Sequence, residues 1–201
     1  MRHETRCIGH DSRLSTPTQV DFRRSYPAAG PDMRLIGRLA GVYIAAERSL
    51  PMTARDSVRA DAGRGLVGDR YHRGTGTFSR RTPLTPGARA LSILDTETLA
   101  ICRRRLEHEL PAAMLRRNLL IETGRLETWA GRELLIGEVR IMLAGRCPPC
   151  GYLSRLLEAD MRAALHGLGG MRARIVSGGH LSIGDPVYLV DDSGIQRGLP
   201  G

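Results

Sequence analysis

Three short stretches of the chain combine residue types able to do chemistry: GLVGDRYH at 65–72, RRN at 116–118 and GRCPPC at 145–150. Cys147 and Cys150 form a C-x-x-C pair. As half of a zinc site the pair needs two further ligands at comparable spacing. Cys7 and Cys102 do not form a second such pair, and Cys102 shares an apolar helical stripe with Leu99 and Leu106, which marks a buried structural cysteine. As a thioredoxin-like dithiol the pair has the right spacing, but that use needs a βαβ setting, and here the pair follows a predicted antiparallel hairpin. As a reactive thiolate, Cys150 lies at the first turn of a helix over Tyr152–Leu165, where unpaired N–H groups and the helix dipole favour an anion. Arg146 adds positive charge, and Pro148 and Pro149 stiffen the loop. A thiol with a lowered pKa in such a place is a nucleophile or a soft-metal ligand. An inert cysteine buried in the helix-entry turn is the alternative.

In GLVGDRYH, Gly65 and Gly68 admit backbone turns closed to other residues, so the stretch reads as a loop. Asp69 can accept from backbone amides or orient Arg70, and His72 can donate to an oxyanion or take a proton. The competing interpretation is a turn carrying a surface Asp–Arg pair, which contributes little. Arg116 and Arg117, with Asn118 beside them, can clamp a phosphate through bidentate bonds or simply be solvated at a helix end. All 30 basic residues are arginine, so the chain has no lysine. That excludes a lysine Schiff base to pyridoxal phosphate or to a carbonyl substrate, and it excludes a Walker-type phosphate loop.

The elements that must hold these residues alternate short strands with helices. Met33 opens a β-like run, RLIGRLAGVYIAAE; Ala88–Leu94 reads as a strand, with Asp95 capping a helix to about Arg105. Pro111 opens a short helical turn before a strand over Leu119–Glu122. Residues 131–145 read as a hairpin turning at Gly137-Glu138. After the cysteines, Leu153, Leu156, Leu157, Met161, Ala164 and Leu165 share one face of an amphipathic helix. Met171–Val176 and Val187–Val190 close the body as strands, separated by Gly178-Gly179 and Gly184-Asp185. Many short strands with glycine at the corners predict a closed or nearly closed barrel decorated by helices.

With 201 residues, 41% of them apolar and 25% charged, the chain suits one globular domain with extensions. Residues 1–32, polar and proline-bearing, read as a flexible extension, with Met33 as a candidate natural start; 33–190 form the domain and 191–201 a polar tail. The N-terminus lacks the apolar core of a secretory signal, and no stretch approaches the roughly 20 apolar residues of a membrane span. A cytoplasmic protein with reduced cysteines follows as the expectation. The net charge of +9 is discounted as a nucleic-acid signal, because arginine without lysine beside much Ala and Gly points to coding bias.

In order along the chain, GLVGDRYH, RALSILDTETL, LRRNLLIETGRLETWAGRELLIGEVRIML, CPPC and RIVSGGHLSIGDPVYLV resemble a MOSC domain, the module found at the C-terminal end of molybdenum cofactor sulfurases and as stand-alone bacterial proteins. The likeness runs from about Gly41 to Val190. It implies a mainly β fold, a pyruvate-kinase-like barrel with a few peripheral helices, whose pocket binds the molybdenum cofactor or a sulfur species. The resemblance implies Cys150 as the metal's thiolate ligand, because the family motif ends in Pro-Cys, and Cys147 as a helper or a disulfide partner. Arg70, Arg116 and Arg117 would contact the anionic tail of molybdopterin, Asp69 is expected among the cofactor-binding residues with them, and Arg89 falls where the family tends to carry a basic residue. His72 and Asn118 would hydrogen-bond the pterin or an oxo group, and His72 would be catalytic beside Cys150. Reduction of N-hydroxylated compounds, with electrons from a partner protein, is the activity implied; a sulfur carrier loaded by a cysteine-desulfurase-type donor, with a persulfide on Cys150, is the other. Pyridoxal phosphate, belonging to a separate domain, is not expected, nor is specific nucleic acid or a membrane.

Overall fold

A computed structural model describes residues 32–79, 86–107 and 109–191. The expected extension, apart from Asp32, and the expected tail, apart from Asp191, lie outside the described residues. The strands are β1 (Met33–Ile44), β2 (Thr53–Arg55), β3 (Ser57–Asp61), β4 (Gly65–Leu66), β5 (Leu91–Asp95), β6 (Leu119–Glu122), β7 (Glu133–Ile136), β8 (Val139–Arg146), β9 (Met171–Ser177), β10 (Gly179–Ser182) and β11 (Pro186–Val190). The helices are α1 (Thr96–Leu106), α2 (Gly151–Leu157) and α3 (Met161–Ala164), with short 3₁₀ turns at Ala112–Leu115 and Leu126–Trp129.

Seven strands run β11-β7-β8-β9-β5-β6-β1, and β1 pairs back onto β11, so the barrel is closed. Closure removes the unpaired edges an open sheet would leave. Strand β2 hangs on the far half of β1, and a small second sheet runs β10-β3-β4. Strands β5 and β6 pair in parallel, which requires a crossover; α1 and the 3₁₀ turn at Ala112–Leu115 supply it. Period-two alternation then separates two cores. Leu91, Ile93, Leu119 and Ile121 point into the barrel with Ile141 and Ile175, whereas Leu94 and Leu120 face outward onto α1, α2 and α3. Leu99, Cys102, Leu153, Met161 and Leu165 cover them.

Asp95 caps α1 as the sequence predicts, accepting from the Thr98 N–H at 2.6 Å. The hairpin at 133–146 turns where expected. Two expectations need correction. The helix over Tyr152–Leu165 is two helices: Glu158 takes a left-handed conformation (φ 49°) that ends α2, and Asp160 caps α3 by accepting from the Ala163 N–H. Within α2 itself Leu153 is buried while Leu156 is exposed, so the apolar face there is narrower than the sequence stripe. Residues 65–72 are not wholly loop, because Gly65–Leu66 pairs with β3. Strands β2, β3 and β10 went unread; their polar sequences offer little pattern, and β3 is defined mainly by its partner β10.

Candidate functional site

The turn after β4, the segment before β5, the start of β6, the cysteine loop and α2 converge on one cleft of about 170 Å³. Five arginines line it: Arg70, Arg89, Arg116, Arg117 and Arg172. Cys147, Pro148, Pro149 and Cys150 form one wall, and Tyr71, Phe78 and Tyr152 supply aromatic surface.

Asp69 sits behind this wall and organises it. Its side chain is buried, and Oδ1 accepts from the Ala45 N–H, from Arg70 Nη1 and from Asn118 Nδ2, each at 3.1 Å, while Oδ2 accepts from the Tyr71 N–H at 3.0 Å. Asn118 extends the network: Nδ2 also donates to the Tyr43 carbonyl, and Oδ1 accepts from the Ser92 N–H and hydroxyl. Two donors and two acceptor positions are what a carboxamide has, so Asn118 is fully used in tying β1, β5 and β6 together. It does not line the cleft, and neither does Asp69.

The arginines are held by carbonyls more than by carboxylates. Arg117 donates through Nε to Gly169, through Nη1 to Leu115 and through Nη2 to Cys147. Arg116, itself left-handed at φ 58°, donates through Nη1 and Nη2 to the Leu50 and Arg48 carbonyls and lies 6.0 Å from the Tyr152 ring centroid. Burial, helped by the neighbouring Arg70 charge, pulls the Arg116 pKa below its ordinary value. Among the described residues, Arg70 pairs with Asp69, and no carboxylate lies within ion-pair distance of Arg116, Arg117 or Arg172. Buried charge without a counter-charge is costly. The cleft therefore carries positive charge that an anion would offset. Burial also raises the Tyr71 pKa, leaving a neutral hydroxyl there.

Two glycines place the cysteines. The Cys147 N–H donates to the Gly170 carbonyl at 2.9 Å. A Cβ on Gly169 would stand 2.5 Å from the Cys147 carbonyl oxygen, and one on Gly170 only 2.0 Å from that of Ile93. The GLGG stretch at 167–170 carried this signal, and it escaped a reading focused on reactive side chains, as did Arg172 and the three aromatic residues.

Of the residues singled out in the sequence, Arg70, Arg89, Arg116, Arg117, Cys147 and Cys150 meet in the cleft. His72 goes elsewhere: its Nε2 lies 2.9 Å from Asp61 Oδ2 at the end of β3, and this contact holds the Asp61 carboxyl below its ordinary pKa. Arg146, expected to act on Cys150, is exposed and lines a different cavity on the other side of the prolines. Cys102 is fully buried on the inward face of α1, which pushes its thiol pKa up. Cys147 and Cys150 are free thiols and partly exposed. Native iodoacetamide labelling followed by peptide mapping should therefore modify Cys147 and Cys150, and reach Cys102 only after unfolding. Equal labelling of all three in the folded protein would contradict this placement.

Among the described residues, no helix is long and apolar enough to cross a membrane. A family model described as the MOSC domain matches residues 65–188, more than half of the chain. No functionally curated protein matches the sequence. Among solved structures, the YuaD protein from Bacillus subtilis is 16% identical with a TM-score of 0.66, over 79% of this chain and 97% of its own. YiiM from Geobacillus stearothermophilus is 15% identical with a TM-score of 0.55, over 81% of this chain and 77% of its own. YiiM from Escherichia coli is 19% identical with a TM-score of 0.54, over 77% and 70%. At such identities the likeness is one of fold.

Proposed function

This chain belongs to the MOSC domain family, and from that premise we propose that its arginine-lined cleft binds the molybdenum cofactor, with Cys150 as the metal's protein ligand, and reduces N-hydroxylated compounds there. The observation that carries this reading is the excess of buried guanidinium charge: Arg70, Arg116 and Arg117 are each less than a tenth exposed, with Asp69 as the paired carboxylate. An anionic phosphate tail answers that excess, and a thiol on the same wall answers a soft metal. The residues fit the group.

Arg116 and Arg117 have N–H groups left after their carbonyl bonds, and these would bind the phosphate. Arg70, on the turn after β4 and oriented by Asp69, and Arg172 on β9 would add charge, as would Arg89 from the segment before β5. Cys147 stands beside the ligand thiol and shapes the loop through its carbonyl bond to Arg117. When bound, the cofactor supplies two-electron redox chemistry that side chains lack. The net reaction takes two electrons and two protons, breaks the N–O bond and releases water. The electrons come from an electron-donor protein. Tyr71 contributes a neutral hydroxyl, and Tyr71, Phe78 and Tyr152 offer flat apolar surface to a small substrate. His72 and Asn118 have no part in this scheme, since both are spent on protein contacts away from the cleft.

A second reading is favoured by the two free thiols on one loop: Cys150 carries sulfane sulfur, received as a persulfide from a cysteine-desulfurase-type donor. The two readings separate when the protein is made in a host that synthesises the cofactor. Molybdenum near one per chain, with turnover of a hydroxylamino substrate by an artificial electron donor, is the expected result. Cys150→Ser should lose metal and turnover together, while Cys102→Ser should keep both. Metal-free protein that takes up sulfane sulfur on Cys150 would favour the second reading over the first.

A further inference from the structure

The four residues from Cys147 to Cys150 carry neither helix nor turn. Cys147 continues the β8–β9 ladder by donating to the Gly170 carbonyl, and Cys150 is extended at φ −124° and ψ 158°. Between them Pro148 and Pro149 each fix φ. A residue that precedes a proline is pushed into extended conformations, and both Cys147 and Pro148 precede one. Three steps of such a chain, at the rise of a polyproline helix, set the two cysteine Cα atoms about 9 Å apart. A disulfide needs them within about 7 Å. The diproline is a strut that keeps the two thiols of this C-x-x-C pair out of each other's reach.

The thiols also differ in their surroundings. Cys150 packs against the helical core of Leu153, Met161 and Leu165, whereas Cys147 belongs to neither core cluster of the described residues. Cys147 is partly exposed on the cleft wall, with Arg117 donating to its carbonyl. Burial raises the Tyr71 pKa, and negative charge on Cys147 adds to the rise, which puts this sulfur near that phenol. Arg70, Arg116, Arg117 and Arg172 line the same cleft. Fixed positive charge around a thiol concentrates anionic reactants there.

We infer that Cys147 is a thiolation site for an anionic, carboxylate-bearing disulfide of low molecular weight, and that the mixed disulfide persists because Cys150 cannot reach it. The Cys147 thiolate attacks one sulfur of the small disulfide. A new S–S bond forms, the old one breaks, and one equivalent of the small thiolate leaves. The disulfide is the oxidant: Cys147 ends oxidised, and the departing thiol ends reduced. Removing the adduct requires another thiol to attack the new bond. In a C-x-x-C pair that can close, the neighbouring cysteine does this; here a thiol from solution must. The adduct stands in the cleft and closes it to other anions. The inference is independent of the cofactor reading, since it needs only the strut, the thiol and the charges.

The test uses the full chain from a host that makes no molybdenum cofactor, treated with glutathione disulfide or with cystamine, a cationic disulfide. Intact mass and peptide mapping read the products. Glutathione is expected on Cys147, arriving at least tenfold faster than the cystamine adduct in low salt, with the gap narrowing in high salt. The parent should form no Cys147–Cys150 disulfide. The Pro148→Gly, Pro149→Gly double variant should let the pair close and so release its glutathione. Absence of glutathione from Cys147, an internal disulfide in the parent, cystamine reacting as fast as glutathione disulfide, or a double variant that keeps its adduct as the parent does would each overturn the inference.

Discussion

Replacing Asp69 with Asn should lower stability by about 3–5 kcal/mol, the range for breaking a buried ion pair from one side. For a chain of this size that is a fall in Tm on the order of 10 °C. The substitution is nearly isosteric, so the effect is not one of volume. It removes the charge that pairs with Arg70, and it turns an acceptor facing the Tyr71 N–H into a donor. The strands that meet at Asn118 lose their shared acceptor or keep it at the expense of another partner. A second readout distinguishes this from ordinary destabilisation. With Arg70 unpaired, the cleft gains one net positive charge, so added phosphate should raise the Tm of the variant more than that of the parent, because a ligand that binds the folded state stabilises it. A loss below about 1 kcal/mol, or an equal response to phosphate, would show that Asp69 is not the centre of the network.

The closed barrel was legible in the sequence because its strands carry their own pattern. VRIMLAGR and LLIE alternate or saturate with apolar side chains, and Gly137 and Gly184 mark corners. Asp95 announced α1 by chemistry local to the chain. The second sheet was not legible, since β3 and β10 acquire strand geometry from pairing with each other across more than a hundred residues. The amphipathic stripe after the cysteines misled for a related reason. Periodicity at 153–165 is continuous on paper, but a single left-handed residue, Glu158, breaks the helix, and nothing in a glutamate foretells a positive φ.

For the site, residue type was a better guide than residue role. The arginines and cysteines singled out do meet in one cleft, whereas His72, the most reactive-looking side chain of GLVGDRYH, is bound to Asp61 and points away. Asp69 and Asn118 belong to the support behind the cleft. A list of polar residues cannot separate a group that faces a ligand from one whose hydrogen bonds are all taken by protein. That distinction appears only when each donor and acceptor is counted.

Gly170→Ala should be among the most damaging single substitutions in the chain, costing about 3–5 kcal/mol or preventing soluble expression. Two effects add. The residue sits at φ 78°, a region that costs a side chain-bearing residue roughly 1–2 kcal/mol. The new methyl would also stand 2.0 Å from the Ile93 carbonyl oxygen, which is backbone in the middle of β5 and has no rotamer with which to yield. Relief requires β5 and the start of β9 to part, and with them the Gly170 carbonyl that fixes the Cys147 N–H. Gly131→Ala isolates the first effect, since Gly131 has φ 80° with nothing within 4 Å of an added Cβ, and it should cost only about 1–2 kcal/mol. Gly169→Ala directs its clash at the Cys147 carbonyl instead. It should therefore spare the barrel more than Gly170→Ala does, while altering the native labelling rates of Cys147 and Cys150. Thermal unfolding of the three variants beside those labelling rates measures the whole series. If Gly170→Ala proves no worse than Gly131→Ala, contact with β5 is not what locks the cysteine loop to the barrel.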